Sequence, residues 1–430
     1  MSKDIELEAF IYGKKIGELL FYQNRIYFEY DKEFLKEGIE ISPLKLNSKK
    51  IDGAYTNSDN FELYQGLAGV FFDLLPDKHG MAFVDRYFES KGYKSKDITL
   101  LHKLAFIGDR GLGAIEFKPK EQTSGYDIDE ILSVKEAYND MRAILQGSGD
   151  ICNIDKLMNI VNSASPVGGA RSKILITYNS SISSIKYNNK ILEKGYKRAI
   201  IKFDEIYPNS ELIDESLDDA KLEYLFMQSA KNCGINIPNI YLYKEDIGTH
   251  LILERFDRDE NDKKIHISTA SALLHKDISV ARVMSYEELF AFTNIVCKKQ
   301  SSMVELFRRM VFNIMILNYD DHAKNFSFMM SENGTWDLAP AYDITYSKGG
   351  LQEHLTTING KAKDISRSDI LIVARKNLID EKLAFKIIES ISSELRLFED
   401  KAKELEIKEE NYIEISKEIE NQIDKLGAIG

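Results

Sequence analysis

Asn318-Tyr319-Asp320-Asp321-His322-Ala323-Lys324-Asn325 gathers acidic, basic and amide side chains into one short run, and Ala341-Tyr342-Asp343 follows. Phosphoryl transfer to a hydroxyl asks for such a set. One carboxylate takes the hydroxyl's hydrogen, oxygen ligands hold magnesium against the phosphates, and a cation steadies the phosphate charge. Asp320 and Asn325 stand at the Asp-x-x-x-x-Asn spacing of a protein-kinase catalytic loop. The count selects Asp320 as the base; Asp321 sits one residue off it. Asp343, after a short strand, would supply the magnesium carboxylate. Magnesium takes one or two carboxylates plus phosphate and water oxygens, so two protein ligands suffice. The spacing alone is more often a polar loop capping an apolar helix. His322, Lys324 and Tyr342-Asp343 in one apolar frame turn the balance toward chemistry. A zinc centre on Asp320, Asp321 and His322 is disfavoured. No second histidine lies at ligand spacing, and zinc sites usually need three protein ligands.

Other segments fit the same chemistry. Ser163-Ala164-Ser165-Pro166-Val167-Gly168-Gly169-Ala170-Arg171-Ser172-Lys173 opens into a strand. Its paired glycines would let successive amides approach phosphate oxygens, and Arg171 and Lys173 add positive charge. It is not a Walker loop, because Gly-x-x-x-x-Gly-Lys-Ser/Thr is absent. Lys202 lies in the apolar strand Ala199-Ile200-Ile201-Lys202-Phe203, where its ammonium would meet ATP phosphates. Glu223, on the following helix, would orient it by an ion pair; the alternatives are a solvent-facing lysine and a solvated helix face. Glu254-Arg255-Phe256-Asp257 ends another strand. A connector there would read adenine through its backbone and ribose through Asp257.

These residues need elements to hold them. Residues 1–118 read as β-rich, with strands at 27–30 and 113–117 and a buried helix over 63–75. Residues 119–135, with Pro119 and Gly125, read as a linker. Residues 136–256 are mixed: 173–178, 198–203 and 250–256 are short, β-branched strands. In 219–233, Leu222, Leu225, Phe226 and Ala230 share one helical face, with Asp218 or Asp219 as cap. Residues 257–430 read as mostly helical. Met303, Leu306, Phe307, Met310, Val311 and Ile314 recur at three and four, and the last fifty residues suit amphipathic surface helices.

Composition narrows the classes. At 430 residues and 43% hydrophobic, the chain can bury a sizeable core without staples. Cys152, Cys233 and Cys297 match no zinc or redox spacing and read as free thiols, as a reducing cytosol allows. The N-terminal residues lack a signal-peptide pattern, and no apolar run reaches the roughly 18 residues of a membrane helix. A net charge of -12 argues against general coating of nucleic acid.

Taken together, the pairing of Asn318 to Asn325 with Leu338-Ala339-Pro340-Ala341-Tyr342-Asp343 resembles the HipA family of bacterial toxin kinases. The glycine loop, Glu254 to Asp257, Gly66 to Pro76 and Ile358-Asn359-Gly360-Lys361 add to it, so the resemblance runs through nearly the whole chain. It implies an α+β, two-lobed protein-kinase-like fold with an N-terminal β-rich subdomain and a mostly helical C-terminal lobe. It implies ATP and Mg2+ as cofactors. Asp320 would be the base, and Asn325 and Asp343 the magnesium ligands. Lys202 and the loop Gly168, Gly169, Ala170, Arg171, Ser172 and Lys173 would contact phosphates. Glu254, Arg255, Phe256 and Asp257 would line adenine and ribose, with His322, Lys324 and Tyr342 also on the nucleotide.

Family members often block themselves by phosphorylating a serine at the start of this loop. Here Pro166 precedes Val167 and serines stand at 163 and 165, so both the acceptor and the occurrence of self-phosphorylation are open; if it occurs, it is expected on Ser163 or Ser165. The family also implies a cytoplasmic protein substrate of the translation machinery, often an aminoacyl-tRNA synthetase. It further implies a small DNA-binding antitoxin, with DNA reached only through that partner and no membrane. Two other readings stand beside it: a non-catalytic corepressor with the kinase fold, and a small-molecule kinase.

Overall fold

The structure is a computed structural model that describes residues 5–76, 78–119, 173–179, 181–182, 184–187, 191–204, 218–245 and 248–427. Residues 120–135 of the linker expected at 119–135, the loop residues Gly168 to Ser172, Ser163, Ser165 and Cys152 lie outside the described residues.

Strands β1 (Glu6–Ile11), β2 (Lys14–Tyr22), β3 (Arg25–Tyr30) and β4 (Ile115–Lys118) form an antiparallel sheet of order β3-β2-β1-β4. β5 (Lys173–Asn179), β6 (Ile185–Tyr187), β7 (Tyr196–Lys202), β8 (Ile240–Glu245) and β9 (Gly248–Glu254) form a second, of order β6-β5-β7-β9-β8. β10 (His266–Thr269), β11 (Met284–Ser285), β12 (Ser327–Met330), β13 (Trp336–Leu338) and β14 (Thr356–Thr357) follow among the described residues, with β10-β12-β13 one sheet and β11-β14 another. The chain divides into two compact units. The first takes Met1–Lys202, Leu253–Asp277 and Phe328–Trp336; the second takes Phe203–Ile252, Ile278–Ser327 and Asp337–Gly430.

In the first unit the sheet alternates as a half-buried sheet must. Leu7, Ala9 and Ile11 of β1, Ile16, Leu19 and Phe21 of β2, and Ile26, Phe28 and Tyr30 of β3 are buried. Phe71 packs its ring 5.0 Å from Phe28 and 6.1 Å from Phe117. Burial of each such side chain contributes roughly 1.5–3 kcal/mol.

The helix expected over 63–75 is instead two single turns, Phe61–Tyr64 and Gly69–Phe72. Gln65 and Gly66 between them adopt left-handed backbone, with φ of 52° and 90°, which cannot propagate a right-handed helix. A Cβ on Gly66 would lie 2.5 Å from the Ile26 carbonyl. The interruption lets this segment join the edge strand, with Ile26 N–H donating to Gln65 O at 2.9 Å.

The second unit is built mainly on helices. Gln300–Met315 carries the apolar repeat as expected, with Leu306, Phe307, Met310, Val311 and Ile314 all fully buried. Asp219–Asn232 stacks Phe226 on Phe398 of the helix Phe398–Glu404, at 4.9 Å. Asp218 occupies its N-cap position without a capping bond. Its carboxylate accepts instead from Lys408 N and Asn411 Nδ2. Glu381–Leu395 and Glu409–Gly427 are the long helices of the C-terminal region. No helix among the described residues is long and apolar enough to cross a membrane.

Candidate active site

The second unit holds the acidic loop. Helix Gln300–Met315 ends at Ile316, and Leu317 takes a left-handed φ of 54° that turns the chain out. Asn318 is buried and donates to Asn313 Oδ1 at 3.1 Å, while Asn313 donates to the Tyr286 hydroxyl at 3.1 Å. The loop is thus tied to the helix before its reactive residues begin.

Asp320 and Asp321 then part. The Asp321 side chain is fully buried. Its Oδ2 meets His354 Nδ1 at 3.0 Å, its Oδ1 accepts from Thr356 N at 3.1 Å, and its carbonyl accepts from the Thr356 hydroxyl at 2.5 Å. The Asp320 side chain is 52% exposed, and His322 Nε2 lies 3.8 Å from its Oδ1, too far for a hydrogen bond. Asn325 Nδ2 donates to the Asp320 carbonyl at 2.8 Å, closing the loop. His322 is mostly buried, and its Nδ1 finds no partner among the described residues.

Asp343 follows with a left-handed φ of 52°, which aspartate tolerates better than most residues. The segment before it is pinned. Ala341 N–H donates to Asn236 O at 2.8 Å, and Arg309 Nη2 donates to Ala339 O at 2.7 Å. The Tyr342 ring is buried, and its hydroxyl donates to Lys324 O at 2.7 Å and meets Ser327 Oγ at 2.5 Å. Tyr342 therefore joins the Asp343 segment to the end of the acidic loop. Partial burial raises the Asp320 pKa above the ordinary carboxylate range. His322 acts against that rise, and the charges of Asp343 and Asp321 add to it. Asp343 thus lies within electrostatic reach of Asp320. Repulsion between carboxylates is what a divalent cation relieves, and an oxygen-donor set of Asn325 and Asp343 suits magnesium.

The first unit holds the lysines and the strand end. Lys173 and Lys202 are register partners in the β5–β7 ladder, and both are buried. The solvent-facing alternative for Lys202 is therefore set aside. Glu223 of the second unit is buried at 2% exposure, so it is no solvated helix face. Glu254 accepts from Tyr178 OH at 2.8 Å and from Lys197 Nζ at 2.9 Å. Arg255 clamps Asp257 through two bonds, Nε to Oδ1 at 2.8 Å and Nη2 to Oδ2 at 2.6 Å. Arg258 Nη1 and Gly113 N also donate to Asp257 Oδ2, each at 2.8 Å. Burial alone would push the Asp257 pKa up. The Arg255 and Arg258 charges and these bonds overcome that and hold it well below the usual range. A ribose hydroxyl at Asp257 would have to share a carboxylate already engaged by these donors.

Sequence reasoning missed His354, Thr356 and Tyr286 around Asp321. Their only signal is the buried fit itself, since none has a fixed spacing to the acidic loop.

A family model described as the HipA-like C-terminal domain matches residues 165–425, and one described as the HipA N-terminal domain matches residues 7–118. The chain belongs to the HipA family. The serine/threonine-protein kinase toxin HipA of Shewanella oneidensis is 22% identical over 365 residues, which is 80% of this chain and 75% of that one. A candidate kinase of Haemophilus influenzae is 27% identical over 143 residues, which is 29% of this chain and 40% of that protein. The solved S. oneidensis HipA, in complex with HipB and its operator DNA, matches with a TM-score of 0.66 at 18% identity. The match covers 98% of this chain and 97% of that HipA. The fold is therefore the α+β, two-lobed protein-kinase-like fold of HipA, with a β-rich N-terminal subdomain and a mostly helical C-terminal lobe.

Proposed function

We propose that this HipA-family chain is an ATP- and magnesium-dependent serine/threonine protein kinase, the toxin of a toxin–antitoxin system. The observation that carries this reading is the parting of Asp320 from Asp321. One carboxylate is built into the fold, and its neighbour is left exposed, with Asn325 bonded to its backbone carbonyl and the charge of Asp343 within electrostatic reach. Asp320 would accept the hydrogen of the acceptor hydroxyl. Asn325 and Asp343 would hold Mg2+, which supplies charge neutralisation to the ATP phosphates when bound. Lys173 and Lys202 would carry ammonium groups to those phosphates, with Gly168, Gly169, Ala170, Arg171 and Ser172 as their amide cradle. Glu254 to Phe256 would read adenine through their backbone. Self-phosphorylation would fall on Ser163 or Ser165.

The substrate would be a cytoplasmic protein of the translation machinery, such as an aminoacyl-tRNA synthetase. The capture of S. oneidensis HipA with HipB and operator DNA supports a small DNA-binding antitoxin as partner. The test is growth of bacteria expressing this chain without an antitoxin. Wild type should slow growth, and Asp320→Gln should not. Equal slowing by both would favour the non-catalytic corepressor.

A further inference from the structure

We infer that His354 is a positioning residue, which holds the catalytic loop in register and so aims Asp320. The inference rests on the kinase reading above and concerns a residue some thirty positions downstream of the loop.

Among the described residues the Asp320 side chain makes no hydrogen bond, and His322 Nε2 stands 3.8 Å from its Oδ1. Its direction must therefore come from the backbone on either side. Both flanking residues are bound to one segment. Leu355 N–H donates to Tyr319 O at 3.3 Å, and Thr356 donates through N to Asp321 Oδ1 and through Oγ1 to Asp321 O. His354 completes the set with Nδ1 at 3.0 Å from Asp321 Oδ2. A carboxylate accepts, so Nδ1 carries the proton of this bond.

The segment is itself fixed. His354 N–H donates to Ala362 O at 2.8 Å, and the His354 ring meets Tyr319 edge-on at 5.1 Å. Thr356 is the register partner of Met284 in the β11–β14 pair, next to Ser285, which caps the helix Tyr286–Cys297. The imidazole and the carboxylate are buried, at 3% and 0% exposure. Removing the donor leaves a buried acceptor short of a partner, a situation the loop escapes by moving.

Asparagine at 354 carries its amide nitrogen on Cγ, where histidine carries Nδ1, and so keeps the donor. Leucine fills the space and supplies none. The full-length chain is assayed as wild type, His354→Asn and His354→Leu. Radiolabelled ATP is offered with dephosphorylated casein and with the chain itself as acceptors, and magnesium-ATP affinity and melting temperature are measured alongside. A misplacement of about 1 Å costs on the order of a hundredfold in rate. The leucine variant should therefore lose roughly 10- to 100-fold in kcat while its ATP affinity stays near wild type. The asparagine variant should recover most of that loss.

Hydrogen exchange of the peptide spanning 318–325 reads the loop without relying on turnover. It should quicken in the leucine variant and stay slow in the asparagine variant. Wild-type kcat and exchange in the leucine variant would overturn the inference. So would equal losses in both variants, or a loss that follows ATP affinity and melting temperature together. A wild-type chain that labels neither acceptor would count against the kinase reading, and the exchange data would still decide the role of His354.

Discussion

Lys173 and Lys202 stand directly opposite each other in the β5–β7 ladder, and both are buried. Opposed residues of an antiparallel pair project from the same face, with Cβ atoms about 4.5–5.5 Å apart. On the proposed function their ammonium groups would meet the ATP phosphates. We expect Lys202→Met to weaken magnesium-ATP binding by roughly 10- to 100-fold, as loss of a charged hydrogen bond worth about 1.5–3 kcal/mol would do. Titration calorimetry measures it, and an unchanged dissociation constant would remove Lys202 from the nucleotide.

Arg255 and Asp257 predict a stability effect. Both side chains are buried, at 2% and 4% exposure, and breaking such a pair from one side costs about 3–5 kcal/mol. Asp257→Asn should lower the denaturation midpoint strongly, and the Arg255→Met, Asp257→Leu double variant should lower it less than the sum of its single variants. Additive losses in chemical denaturation would show that the pair is not coupled.

Acid should weaken the fold through buried histidines. Burial pushes His250 down to about 4, and pushes His266 down to about 4 with the Ile41 backbone acting in the other direction. The unfolded chain titrates near the ordinary histidine value of about 6.5. Both groups are therefore neutral in the fold where the unfolded chain already binds protons. Their contribution is present above about pH 6.5 and is lost as pH falls toward 4. The His266 ring packs edge-on against Trp336 at 5.5 Å, so His266→Phe keeps an aromatic ring there and removes the titration. Melting between pH 7 and pH 5 should fall less steeply in that variant than in wild type. Parallel slopes would contradict this.

The local signals were legible in the sequence, and the long-range ones were not. The three-and-four repeat from Met303 to Ile314 gave the helix Gln300–Met315, and β-branched runs marked β5, β7 and β9. These patterns are set by neighbours on one element. The break at Gln65 and Gly66 was hidden because an apolar run does not reveal where an edge strand must approach. The fate of Asp321 was hidden for a similar reason. His354 and Thr356 reach it from more than thirty residues away, and only the fold brings them together. Spacing selected Asp320 from the pair; burial shows what its neighbour does instead.

On the proposed function Asp320 would do the chemistry while Asp321 holds the loop. Single-turnover transfer from radiolabelled ATP, beside magnesium-ATP titration of the same proteins, tests it most directly. Loss of general-base assistance removes about a hundred- to ten-thousand-fold in rate. Asp320→Asn should lose transfer on that scale while binding nucleotide and melting as wild type does. Asp321→Asn should instead lower the melting temperature, since its buried bonds to His354 and Thr356 are disturbed. Wild-type transfer by Asp320→Asn, with transfer abolished in a stably folded Asp321→Asn, would contradict the account.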